Sequence, residues 1–242
     1  MDLDLWPAVA VAALWGATAG VLVPRAAYRL SVEPEQSWRD RCPDGHPIGG
    51  WVGRARCADG RAYGPGTAAV SVVTALVCAG LALATGLRPE LPVWLLLAPL
   101  GVLLTIVDFR VQRLPDVVTL PLAVLALALL GAAAALPEHA GRWGTAFLGA
   151  LVLGGAYFLL FLVNPNGLGF GDVKLAPGLG AVLGWYGWGT VLLGTFAGFL
   201  FGGLYGLALV VLRRAGRRTA IPFGPFLIAG AFVGLMIGAY AA

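Results

Sequence analysis

Leu91-Pro92-Val93-Trp94-Leu95-Leu96-Leu97-Ala98-Pro99-Leu100-Gly101-Val102-Leu103-Leu104-Thr105-Ile106-Val107 carries no charge and stops on Asp108. Apolar runs of about 17 to 25 residues are long enough, as helices, to cross a hydrocarbon core about 30 Å thick. Comparable runs occupy 5–24, 66–87, 117–136, 143–163, 188–212 and 221–241, with a shorter one at 173–186. The composition agrees: 59% of the 242 residues are hydrophobic, 12% are charged and the mean hydropathy is +0.85. Soluble domains are roughly half apolar and a quarter charged. The expected fold is an all-α polytopic membrane protein of about eight transmembrane helices, with one cytoplasmic loop after the first. It divides into a first helix at 1–24, that loop at 25–65 and a membrane domain at 66–242.

Charge sets the expected orientation, because Lys and Arg near span ends are retained on the cytoplasmic side. With the 25–65 loop in the cytoplasm, Arg110, Arg113, Lys174 and the cluster Arg213, Arg214, Arg217 and Arg218 share its side. Only Arg88 and Arg142 of the 16 basic residues are then left opposite. Both termini are expected outside. The net charge of +4 follows from this topology and gives no case for nucleic-acid binding. The first span is read as an anchor and not a cleaved signal, since Asp2 and Asp4 precede it where a basic segment is needed. Nucleotide-binding loops, zinc-protease and serine-hydrolase motifs are absent from the chain.

On this topology two acids reach one face. Asp108 ends the third span, and Asp172 follows the loop Asn164-Pro165-Asn166-Gly167-Leu168-Gly169-Phe170-Gly171. Ionisable residues at apolar boundaries are functional candidates by default, and two carboxylates suggest aspartyl chemistry. Glycines in the loop are expected to permit positive φ and the close approach of another backbone. A plainer reading makes Asp172 a helix cap and pairs Asp108 with Arg110 or Arg113.

Three ordered motifs resemble the type IV prepilin peptidase family of membrane aspartyl proteases with a GxGD motif. Asp108 followed by Leu114-Pro115-Asp116 resembles its first catalytic segment, and Gly169-Phe170-Gly171-Asp172-Val173-Lys174-Leu175 its second. Ile221-Pro222-Phe223-Gly224-Pro225-Phe226-Leu227 is similar to the signature that opens its last helix. The resemblance implies Asp108 and Asp172 as catalytic residues of a bacterial cytoplasmic-membrane endopeptidase. It implies Gly169, Gly171, Lys174, Pro115, Pro222 and Gly224 as substrate-binding or loop-shaping residues. The substrates implied are prepilins or pseudopilins, cut after a leader glycine on the cytoplasmic side. Two adjacent carboxyls share a proton, so one can act as base on water while the other donates to the scissile carbonyl. Asp116 ranks below Asp108, being the acid beside the Leu-Pro pair.

Many members of that family carry two CxxC pairs in the first loop, a spacing that suits tetrathiolate zinc. Here Cys42-Pro43-Asp44-Gly45 and Cys57-Ala58-Asp59-Gly60 keep one cysteine of each pair. No metal is expected, with Cys42 and Cys57 the weak candidates for a mixed site completed by His46 and an Asp, and no disulfide between them if the loop faces a reducing cytosol. The peptidase needs no cofactor. Methylation of the new N-terminus from S-adenosylmethionine, which the resemblance links with this loop, is left open. His46 and His139 are read as surface residues, Cys78 as a small apolar side chain, and Pro177-Gly178 as a break or kink in the sixth span. Two other readings stay open: a proton- or cation-coupled transporter, and an inactive pilus-assembly homologue.

Overall fold

The structure is a computed structural model and describes residues 5–33, 35–165, 167–212 and 221–242. Asp2, Asp4, Asn166 and the arginines at 213, 214, 217 and 218 fall outside these residues. Eight helices follow one another among the described residues: α1 (Leu5–Leu30), α2 (Thr67–Thr85), α3 (Leu91–Val111), α4 (Asp116–Ala134), α5 (Trp143–Val163), α6 (Phe170–Gly184), α7 (Trp188–Val211) and α8 (Gly224–Ala241). Seven are long and apolar enough to span a membrane, and the chain is an all-helical polytopic membrane protein. The helix α6, with 15 residues, rises only about 22 Å.

Packing divides the chain into two compact units, 1–115 and 116–242. In the first, α1 packs on α2 and α3, and α2 packs on α3. Two glycines let α1 and α2 approach: a Cβ on Gly16 would lie 2.9 Å from Ala75 Cα, and one on Gly20 would lie 2.7 Å from Ser71 Cα. Small residues replace the hydrophobic drive that lipid cannot supply between helices. Ser71 Oγ adds a 2.8 Å hydrogen bond to the Ala17 carbonyl. As expected, Cys78 packs as an apolar side chain, fully buried with Ala12, Ala82 and Leu91.

In the second unit α6 is central, touching α4, α5, α7 and α8. Its contact with α5 is backbone to backbone, since a Cβ on Gly180 would sit 3.0 Å from Ala150 Cα and one on Gly184 would sit 3.1 Å from Ala146 Cα. The α7–α8 crossing repeats the device, with a Cβ on Gly234 falling 2.8 Å from Gly194 Cα.

Three boundaries differ from expectation. Helix α1 continues six residues past 24 to Leu30, so Arg25 and Arg29 are helical. Helix α3 continues to Val111, which places Asp108 inside its last turns. Helix α6 starts at Phe170 and runs unbroken through Pro177 and Gly178. A proline removes one donor, and here the surrounding helices hold the segment as one element.

The segment between α1 and α2 is ordered by backbone and arginine contacts. Arg25 N–H donates to the Gly53 carbonyl at 3.0 Å and Gly53 N–H to the Leu22 carbonyl at 2.8 Å. Arg29 donates to the Gly50 carbonyl at 2.7 Å and stacks over Trp51, 4.1 Å from the ring centre. Arg39 stacks over Tyr28 and Arg113 over Trp38. Arg25, Arg29 and Arg39 fasten the loop to the end of α1, and Arg113 fastens it to the segment that follows α3.

Candidate active site

Asp172 lies in the first turn of α6. Its backbone N–H donates to the Gly169 carbonyl at 3.0 Å, and Gly169 is the N-cap. Asp172 is therefore not the cap itself, but it stands where the positive end of the helix dipole favours a negative charge by about 0.3–1 kcal/mol. The side chain turns back over Gly169: a Cβ on that glycine would lie 3.3 Å from Asp172 Oδ2. Gly169 has φ −68°, and neither Gly167 nor Gly171 has positive φ. The expectation of left-handed glycines fails in this loop; at Gly169 the missing Cβ instead leaves room for the carboxylate.

Asp172 is 5% exposed. The buried Tyr157 of α5 is close enough to interact with its charge. Nothing in the sequence marked Tyr157, one polar ring in an apolar run; only the α5–α6 packing brings it near the acid.

Asp108, in the other unit, is 4% exposed on the last turns of α3. Its carbonyl accepts the Gln112 N–H at 2.8 Å, and Gln112 closes the helix in a left-handed conformation with φ 50°. Leu114 and Pro115 are buried and lead directly into α4. Burial on apolar helices is costly for a carboxylate and is tolerated mainly where function needs it. Glu90, at the N-cap of α3, is the third buried acid among the described residues.

Asp116 is different in kind. It opens α4 with its side chain 57% exposed, and Lys174 Nζ donates to both of its carboxylate oxygens at 2.7 Å. Lys174 also lies 4.9 Å from the Phe170 ring centre. Its role in the described structure is to tie the start of α6 to the start of α4.

Pro222 lies just before α8, and Gly224 is buried as the first residue of that helix. Phe223 between them presses its ring on α7, where a Cβ on Gly202 would meet it at 2.6 Å. The Phe223 and Phe199 ring centres are 5.1 Å apart. This motif starts α8 and seats it on α7.

Cys42 and Cys57 come together, contrary to the expectation that they stay unbridged. Their Cα atoms are 6.1 Å apart and their sulfurs are joined as a disulfide. His46, read as a surface residue, is exposed and places Nδ1 3.2 Å from the Cys57 sulfur and 3.7 Å from that of Cys42. His139 is half-buried, its ring centre 5.8 Å from that of Trp185.

A model of the type IV leader peptidase family matches residues 91–207, a stretch that contains Asp108, Asp116, Asp172 and Lys174 and excludes the cysteine loop. The chain is 36% identical over 181 residues to a prepilin leader peptidase/N-methyltransferase of Aeromonas hydrophila, covering 70% of this chain and 57% of that protein. It is 34% identical over 168 residues to the protein of that name from Escherichia coli K12, covering 67% of this chain and 72% of the relative. It is 36% identical over 149 residues to the leader peptidase HopD of Salmonella typhimurium LT2, covering 59% and 91%. The chain thus spans little more than half the length of the Aeromonas relative. No solved structure matches it. The chain belongs to the type IV leader peptidase family.

Proposed function

We propose that the chain is a membrane aspartyl endopeptidase that removes the leader peptide of prepilins or pseudopilins after a glycine, using Asp108 and Asp172. The observation that carries this reading is the contrast among the acids of the family-matched stretch. Asp108 and Asp172 are buried on apolar helices, whereas Asp116 is exposed and neutralised by Lys174.

In the proposed reaction one carboxyl takes a proton from water while the other donates to the scissile carbonyl, so the peptide is cut without a covalent intermediate on the protein. Gly169 leaves the Asp172 carboxylate space to turn toward substrate. The location is the bacterial cytoplasmic membrane with the acids facing the cytoplasm, as the distribution of basic residues favours. Methylation of the product from S-adenosylmethionine is a secondary reading favoured by the names of the Aeromonas and E. coli relatives; HopD carries the peptidase name alone.

The test is mass spectrometry of a synthetic prepilin-type peptide, with a basic leader, glycine and apolar helix, after incubation with the purified chain in detergent. A single cut after the glycine supports the proposal. An intact peptide across several such substrates, with the protein folded, removes it.

A further inference from the structure

The turn Gly50-Trp51-Val52-Gly53, in the loop between α1 and α2, carries two large apolar side chains at its centre. Turn centres are ordinarily glycine or small polar residues. Here Trp51 is 46% exposed and Val52 58%. The turn is firmly mounted. Gly50 and Gly53 take φ +73° and +128°, a region that glycine enters without steric cost. Arg29 lies over the Trp51 ring and donates to the Gly50 carbonyl, and Arg25 donates to the carbonyls of Gly49 and Arg54. Trp38 meets the Trp51 ring edge-on, with centres 6.5 Å apart.

The turn stands at the edge of the bilayer. Residues 5–24 of α1 carry no charge, and Arg25 is the first cation after them, so the hydrocarbon boundary falls at the last apolar turn of that helix. Gly53 is bonded on both sides of this boundary: its N–H donates to the Leu22 carbonyl at 2.8 Å, and its carbonyl accepts the Arg25 N–H at 3.0 Å. The helix continues to Leu30, six residues or about 9 Å beyond the boundary. The loop therefore folds back along α1 to bring Trp51 and Val52 to the headgroup layer, the depth at which tryptophan is enriched.

Charge selects what covers the pair. From Pro47 to Cys57 the loop carries Arg54 and Arg56 and no acid, and both arginines are exposed. The acids on either side, Asp44 and Asp59, are each approached by Arg61, at 3.8 and 3.5 Å. With Arg25 and Arg29 against the turn, four cations accompany the apolar pair. The basic leader of the proposed substrate would be repelled by them. A bilayer face of anionic headgroups accepts both the apolar side chains and the cations.

We propose that the turn at 50–53 anchors the loop to the membrane surface, with Trp51 and Val52 entering the bilayer interface beside α1 and Arg54 and Arg56 binding anionic phospholipid headgroups. The anchor uses no residue of the family-matched stretch, so its failure leaves the peptidase reading standing.

The test is quenching of tryptophan fluorescence by brominated phosphatidylcholine in nanodiscs holding the full chain, with and without a quarter of phosphatidylglycerol. The Trp51 signal is the difference between wild type and Trp51→Phe, each shown to be folded by circular dichroism. The expected result is at least twofold quenching of that signal with phosphatidylglycerol and clearly less without it. The double variant Arg54→Gln, Arg56→Gln brings the two compositions to the same value, and Val52→Asp reduces the quenching at least twofold. Should Trp51→Phe fail to fold, the total quenching of wild type against Val52→Asp gives the same reading. An unquenched Trp51, or equal quenching in both compositions, overturns the proposal. So does a Trp51 that is shielded only when a prepilin-type peptide is added, which would make the turn a protein-docking surface.

Discussion

Lys174 Nζ sits 2.7 Å from each carboxylate oxygen of Asp116, so the first turns of α6 and α4 are fastened by one bidentate ion pair. This pairing gives Asp116 and Lys174 a structural occupation. It leaves Asp108 and Asp172 as the buried acids of the family-matched stretch.

Asp116→Asn should therefore be mild. The pair is partly exposed, with side chains 24% and 57% accessible, and pairs of this sort contribute about 0.2–1 kcal/mol. A melting temperature lowered by no more than about 4 °C is expected, with peptide cleavage kept within tenfold of wild type. Thermal unfolding and a cleavage assay check both; a loss as deep as that of an Asp108 variant would move the catalytic assignment to Asp116.

Gly169→Ala places a methyl 3.3 Å from Asp172 Oδ2. Cleavage should fall at least tenfold while the melting temperature changes little, because the strain falls on one side chain at the helix entry. Gly155→Ala is the control: nothing lies within 4 Å of its Cβ, and replacing a mid-helix glycine stabilises by about 0.5–1 kcal/mol.

Gly180→Val tests the close crossing of α5 and α6. A side chain there meets the backbone of Gly149 and Ala150, and overpacking of this type costs about 1–3 kcal/mol. The expected result is a lower melting temperature together with reduced cleavage, since α6 carries Asp172. Unchanged unfolding would show that the crossing is looser than described.

Arg29→Ala should loosen the segment between α1 and α2, which loses the bond to the Gly50 carbonyl and the stacking on Trp51. Limited proteolysis should cut between 49 and 54 several-fold faster than in wild type, with the helices intact by circular dichroism.

Most of the helical layout was legible because lipid demands long apolar runs, and seven of the eight helices announce themselves that way. The end of α1 was misplaced because Arg25 and Arg29 look like the start of a loop; their side chains instead reach loop carbonyls from helical positions. Helix α6 was the weakest signal, since Pro177 and its glycines look like a break. It is held by its four neighbouring helices, a tertiary effect that local sequence does not record. At the site, Asp108 and Asp172 stood out as acids in apolar surroundings. Tyr157 did not, because it acquires its neighbours only through folding. The glycines of the Gly169–Asp172 motif were noticed for conformational freedom, yet at Gly169 what matters is space for a carboxylate.

The most direct measurement is the rate of prepilin-peptide cleavage by wild type, Asp108→Asn and Asp172→Asn in detergent, each shown to be folded by thermal unfolding. The account predicts that wild type cuts after the leader glycine and that each folded variant is slower by several orders of magnitude. Near-wild-type cleavage by either variant would contradict the two-carboxylate assignment.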